Sequence, residues 1–210
     1  MIFIGFPAPD APPTLWISFY PKVGVYCHRE RYPVYHVGQR YNRNLAVNPI
    51  PVVENMSTRA ILALNSAGVP FEVITYAHRK KGAAFAAQAM GFPLEKTVKT
   101  LIAKLGGPRY AVALLPGNIQ LDLKKLAGIF GVKHASMADT VTAERLSGYL
   151  VSGISPFGLK QPLESVMDSA IMPHQTVAIN GGKRGLMLKM APGDIRAALG
   201  CRVADIGRQA

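Results

Sequence analysis

Two apolar runs on either side of Gly106-Gly107-Pro108 set the centre of this chain. Residues 97–105 are rich in β-branched side chains, and residues 110–115 form an apolar stretch short enough to be a buried strand. Together they predict a β-hairpin that turns at the glycines. Alternation along the first strand puts Val98, Thr100 and Ile102 on one face and Lys99 on the other. A lysine inside such a strand either snorkels to water or faces a cleft with an anionic partner. In a cleft its ammonium can hold a phosphate or ribose of a nucleic-acid end, or stabilise negative charge developing on a carbonyl oxygen.

Helical spacing of Ala60, Ile61, Leu64 and Ala67 predicts a helix over residues 58–67 that Gly68 stops. A strand over 71–76 places Ile74 and Tyr76 on one face, and a small-residue helix over 82–90 ends at Gly91. Further helices are expected over 122–130, 139–146 and 193–199, and strands over 149–151, 164–167, 176–179 and 186–190, with a turn at 181–185. Helices and strands are mixed without strict alternation, and no fixed-period repeat occurs. The predicted fold class is therefore α+β, a single mixed α/β domain over residues 56–210.

Residues 1–55 read differently. Eight of the 16 prolines and 9 of the 17 aromatic residues precede residue 57, and no regular period survives there. This segment is expected to be an irregular extension, with translation starting at Met56.

Several chemistries are unsupported by the residues. His28, His36, His78, His134 and His174 are scattered without ligand spacing, and Cys27 and Cys201 form no zinc or redox motif, so neither a metal nor a cofactor is expected. Gly181-Gly182-Lys183-Arg184 lacks the spacer and the Ser/Thr of a phosphate-binding loop. Gly153-Ile154-Ser155-Pro156-Phe157 lacks the final glycine of a serine nucleophile elbow, which leaves Ser155 as a loop hydrogen bonder. The flexible segment around it, residues 148–158, can instead offer backbone N–H and C=O groups to a small ligand.

The balance of 24 Lys and Arg against 12 Asp and Glu gives a net charge of +12, of which +10 lies from Ser57 onward. A polyanion such as RNA is the partner this suits. No apolar stretch is long enough to span a bilayer, so a cytoplasmic protein with no membrane partner is expected.

Residues 57–208 resemble the YbaK family of aminoacyl-tRNA deacylases, related to the editing domain inserted in many bacterial prolyl-tRNA synthetases. The resemblance rests on Val98-Lys99-Thr100-Leu101, Gln120-Leu121-Asp122-Leu123-Lys124-Lys125, Met137-Ala138-Asp139, Gly148-Tyr149-Leu150-Val151, Gly153-Ile154-Ser155-Pro156-Phe157-Gly158 and Gly181-Gly182-Lys183-Arg184-Gly185-Leu186, in that order. It implies a mixed, barrel-like sheet flanked by helices, and a cleft that hydrolyses the ester of a wrongly attached amino acid at the 3′ end of tRNA. By the same resemblance Lys99 matches the family's essential lysine, Tyr76 a pocket tyrosine, and Ser152, Gly153, Ile154 and Ser155 the loop around the amino acid. The implied substrate is tRNA(Pro) carrying cysteine or another small amino acid, with prolyl-tRNA synthetase as a second partner. Lys80, Lys81, Lys183 and Arg184 are candidate tRNA contacts. Cysteinyl-specific relatives carry Gly where this chain has Ser152 and Asp where it has Met187, both beside the pocket. If those two residues block it, the alternative is a non-catalytic module that binds an RNA end or a synthetase.

Overall fold

A computed structural model describes residues 57–209, together with the two-residue strands β1 (Ile17–Ser18) and β2 (Tyr26–Cys27), which pair antiparallel. The chain divides into two units, Met1–Val52 and Val53–Ala210. The strands β1 and β2 belong to the first and all later elements to the second. The expected start at Met56 lies outside the described residues, as does the rest of the extension.

Helix α1 (Arg59–Ser66) begins where Thr58 accepts the Ile61 N–H on its hydroxyl, and it turns Ala60, Ile61 and Leu64 inward as their spacing predicts. Strand β3 (Glu72–Thr75) leads to α2 (Ala83–Met90), which ends at Gly91 in the left-handed conformation, φ 62°. A single 3-10 turn, Leu94–Lys96, precedes β4 (Thr97–Lys104) and β5 (Tyr110–Pro116). Then follow β6 (Ile119–Leu121), α3 (Leu123–Ile129), β7 (Ser136–Met137) and α4 (Thr140–Ser147). The side chains of Asp122 and Asp139 cap α3 and α4. The chain closes with β8 (Glu164–Asp168), β9 (Val177–Lys183), β10 (Leu186–Met190), α5 (Pro192–Leu199), β11 (Arg202–Ala204) and β12 (Gly207–Gln209).

The expected hairpin is the middle of the main sheet, with β4 and β5 antiparallel from Val98↔Pro116 to Lys104↔Tyr110. The strand order is β11-β8-β5-β4-β9-β10-β3, and the path is open at β11 and β3. Parallel pairs (β5 with β8, β8 with β11, β4 with β9) mix with antiparallel ones, which makes the sheet mixed. The alternation along β4 and β5 feeds two cores. Val98, Ile102, Val112 and Leu114 join Leu64, Leu146 and Ile195 from the helices on one side, while Ala103, Ala113 and Leu115 join Leu126 of α3 and Phe130 just after it on the other. Each large apolar side chain buried this way contributes about 1.5–3 kcal/mol.

Two local expectations need correction. Residues 149–151 form no strand, because Gly148 ends α4 in a left-handed conformation and the chain folds back at once. Tyr149 drops its ring into the core, where its hydroxyl donates to the Phe157 carbonyl at 2.7 Å, and the Gly153 N–H closes a turn onto the Leu150 carbonyl at 2.9 Å. The Tyr149 N–H goes to the Ser147 hydroxyl and the Val151 N–H to the Glu144 carboxylate, in place of a ladder. The turn expected at 181–185 is tighter than its glycine content suggests. Strand β9 runs through Gly181, Gly182 and Lys183, and only Arg184 and Gly185 turn the chain, with the register slipping between Leu186 and Met187. A side chain at Gly181 would collide with Leu186, so the glycine serves close packing at this irregularity.

Candidate active site

The site lies where the edge of β4 changes partners. Strand β9 pairs only with Thr97 and Val98, and β7 only with Ala103 and Lys104, so residues 99–102 have no partner strand on that edge. A cavity of about 340 Å³ occupies the gap, within the size range of ligand pockets. Helix α2 lines it through Ala83 and Ala86, α4 through Thr140 and Ala143, and the following loop through Val151, Ser152 and Ile154.

Of the residues expected at the site, Tyr76, Lys99, Ser152, Ile154 and Met187 line this one cavity. Gly153 and Ser155 do not. Ser155 is fully buried and accepts the Phe157 N–H at 3.3 Å, the loop-bonding role its sequence context gave it. Gly153 is pressed against the β9–β10 hairpin, and a Cβ there would sit 3.1 Å from the Arg184 nitrogen. Lys80 and Lys81 are exposed just before Gly82 and Ala83, which line the cavity, and Lys183 is exposed on the hairpin. Arg184 is half-buried, and its Nε donates to the Val151 carbonyl at 3.0 Å.

Lys99 dominates the electrostatics. Its Nζ donates to the Gly117 carbonyl at 3.3 Å, and no carboxylate among the described residues pairs with it. Burial lowers its pKa from 10.5. No Asp or Glu lines the cavity, so an anion or a developing oxyanion meets no opposing charge there. Gly117 makes the anchoring carbonyl possible: a Cβ would lie 2.8 Å from the Leu94 carbonyl oxygen, so only glycine lets the 3-10 turn approach. Gly117→Ala is expected to displace that carbonyl and the ammonium it anchors, and to lower kcat about tenfold with little change in KM in steady-state kinetics. Burial also raises the pKa of the Tyr76 hydroxyl, against the lowering effect of its backbone hydrogen bond with Gly185.

Sequence reasoning missed five polar residues of the cavity, His78, Thr97, Thr100, Thr140 and Asn180. His78 Nδ1 and Thr100 Oγ1 are the two buried side-chain polar atoms without a hydrogen-bond partner among the described residues. The usable signal was the one that singled out Lys99: Thr100 and Asn180 each interrupt an apolar strand. His78 carried none, because a lone histidine in a polar segment is commonplace. No group of three or more His, Cys, Asp or Glu side chains able to hold a metal ion occurs among the described residues, and none of their helices is long and apolar enough to cross a membrane.

Comparison with known proteins adds the wider context. A protein of Enterococcus faecalis named "Putative Cys-tRNA(Pro)/Cys-tRNA(Cys) deacylase EbsC" is 28% identical over 151 residues, covering 71% of this chain and 92% of that one. The "Multifunctional Ser/Thr-tRNA deacylase ProXp-y" of Escherichia coli is 29% identical over 139 residues, covering 63% and 83%. A solved structure described as "a putative trans-editing enzyme for prolyl tRNA synthetase" superposes with a TM-score of 0.66 at 26% identity, covering 71% of this chain and 95% of that one. The model of the aminoacyl-tRNA editing domain matches residues 79–198, a span that includes β4, the loop after α4 and the β9–β10 hairpin. This chain belongs to the aminoacyl-tRNA editing domain family.

Proposed function

We propose that the protein is a deacylase that acts in trans in the cytoplasm, removing cysteine or an amino acid close to it in size from mischarged tRNA(Pro). The observation that carries this is the Lys99 ammonium, half-buried without a carboxylate partner in a cavity with no acidic lining. An ammonium so placed stabilises charge that appears only during reaction, which is what lowers a barrier. Water adds to the ester carbonyl carbon, the carbonyl oxygen carries the resulting charge, and the bond to the ribose oxygen then breaks. A cavity that Ser152 and Met187 line supports catalysis over the alternative of a blocked, binding-only module.

The protein would be incubated with tRNA(Pro) charged separately with cysteine, alanine, 2-aminobutyrate and proline, with and without prolyl-tRNA synthetase. Loss of the small-residue esters with prolyl-tRNA(Pro) spared is the expected result. No loss above background with any of them overturns the proposal.

Substrate choice follows from two side chains. The double variant Ser152→Gly, Met187→Asp is expected to raise the ratio of kcat/KM for cysteine over alanine about tenfold, the scale on which one small group discriminates in a pocket. Phosphate binding follows from the exposed lysines. Replacing Lys80, Lys81 and Lys183 by Ala should raise KM and flatten its salt dependence, by roughly 0.7–0.9 in the log–log slope for each phosphate no longer neutralised.

A further inference from the structure

The β9–β10 hairpin holds the loop after α4 through two side chains, and both take loop carbonyls. Arg184 Nε donates to Val151 O at 3.0 Å, and Asn180 Nδ2 donates to Ser152 O at 3.2 Å. Asn180 is 9% exposed, and its Oδ1 accepts the Gly182 N–H at 2.9 Å, which fixes the orientation of its amide. The Tyr149 ring packs beside Gly182, where a Cβ would lie 2.7 Å from the ring, so the loop and the hairpin also meet through apolar contact.

The described peptides are trans, so the N–H that follows each carbonyl points opposite to it. With Val151 O turned onto Arg184, the Ser152 N–H is turned away from that side chain. It forms no hydrogen bond among the described residues, and Ser152 lines the cavity. Gly153 is different, since its N–H is taken by Leu150 O at 2.9 Å. Ser152 is also the non-glycine residue at positive φ among those described, at 69°. A left-handed conformation is unfavourable for a residue with a Cβ, and it persists where neighbours hold it.

We infer that Arg184 and Asn180 are positioning residues, which hold Ser152 in this conformation so that its N–H faces the ester carbonyl oxygen. The assignment rests on the deacylase function proposed above. As water adds to the carbonyl carbon, the electron pair of the C=O bond moves onto oxygen, where the Ser152 N–H and the Lys99 ammonium meet it. Collapse restores the C=O bond and expels the ribose oxygen, which leaves with a proton that came from the attacking water. Arg184 acts here through one N–H donor and not through its charge, unlike a phosphate contact.

That distinction can be tested because glutamine places its amide nitrogen the same number of bonds from the backbone as arginine Nε, where lysine has a methylene. The R184Q variant should keep most of kcat, and R184K should lose it by roughly 10²-fold, the scale of a small misplacement at a reacting centre. KM for the charged tRNA should hold in both. N180D, which can still accept the Gly182 N–H but cannot donate to Ser152 O, should lose kcat to a similar extent. Circular dichroism and urea unfolding establish that each variant is folded; if R184K is not, N180D decides. A phosphate contact gives the reverse order, with R184K near wild type and R184Q raised in KM with a flatter salt dependence. That order, or kcat unaffected in N180D and R184K, overturns the positioning role. A wild-type protein inactive on every charged tRNA overturns the deacylase function itself.

Discussion

Replacing Lys99 by Met is expected to cut deacylation by about 10²–10³ and to make the protein harder to unfold. Loss of a preorganised donor to a developing oxyanion lowers kcat by about 10²–10³, and Lys99 supplies the cation of this cavity. The gain in stability has a separate origin. The ammonium is held partly out of water with one carbonyl, Gly117 O, as its partner, so its charged form is disfavoured in the folded state. The sign follows from proton linkage. Between the lowered pKa of the folded state and the ordinary 10.5, the unfolded chain binds more protons, so wild-type stability rises with pH across that window. Below the window the cost is present in full. K99M lacks the cost at every pH, so its urea midpoint at neutral pH should exceed that of the wild type, and the difference should shrink toward pH 10.5. Residual activity near wild type, or a lower midpoint, would show that Lys99 is a packing residue. The same shift sets the alkaline limb of the activity profile below 10.5, once spontaneous ester hydrolysis has been subtracted.

Gly158→Ala has the largest expected effect on stability. The residue lies at φ 59°, and a Cβ there would come within 2.5 Å of the Arg59 carbonyl oxygen and 2.7 Å of its carbon. Both are backbone atoms at the first turn of α1, which cannot yield without moving the helix. Gly158 also offers its carbonyl to the Tyr149 hydroxyl at 3.2 Å, so the displacement reaches the ring that pins the loop. A strained conformation and a backbone collision together should cost at least about 3 kcal/mol, read as a fall in the urea midpoint. Gly128→Ala in α3 is the control. Nothing lies within 4 Å of a Cβ there, and alanine should stabilise the helix by roughly 0.5–1 kcal/mol. A Gly158→Ala midpoint equal to wild type would remove the close approach as a requirement of the fold.

What could be read in advance follows the strength of local signals. The hairpin was legible because β-branched alternation and a Gly-Gly-Pro turn point the same way, and α1, α3 and α4 because a stripe of apolar residues follows Thr58, Asp122 and Asp139 caps. Strands β6, β7, β11 and β12 were not, since two or three residues are too few to show a period. The 149–151 segment misled because its apolar β-branched content describes burial, which Tyr149 achieves from a turn. At the site, Lys99 was conspicuous as a charge in an apolar strand. Asn180 and Arg184 were obscured for opposite reasons. The amide looked like an ordinary polar interruption, and the guanidinium looked like a surface charge, because neither sequence position reveals a carbonyl across the loop.

The exchange of partners along β4 also bears on when the protein becomes competent during its synthesis. Thr97 and Val98 pair with Ala178 and Ile179, some eighty residues later in the chain, and that pairing forms one jamb of the cavity. A nascent chain that has passed Met137 holds Lys99 and β7 but not β9, so the cavity beside Lys99 is not yet formed. Closure between such distant strands comes late and slowly. Partial chains are therefore expected to lack a formed cavity until β9 has been made, and to leave charged tRNA intact until then.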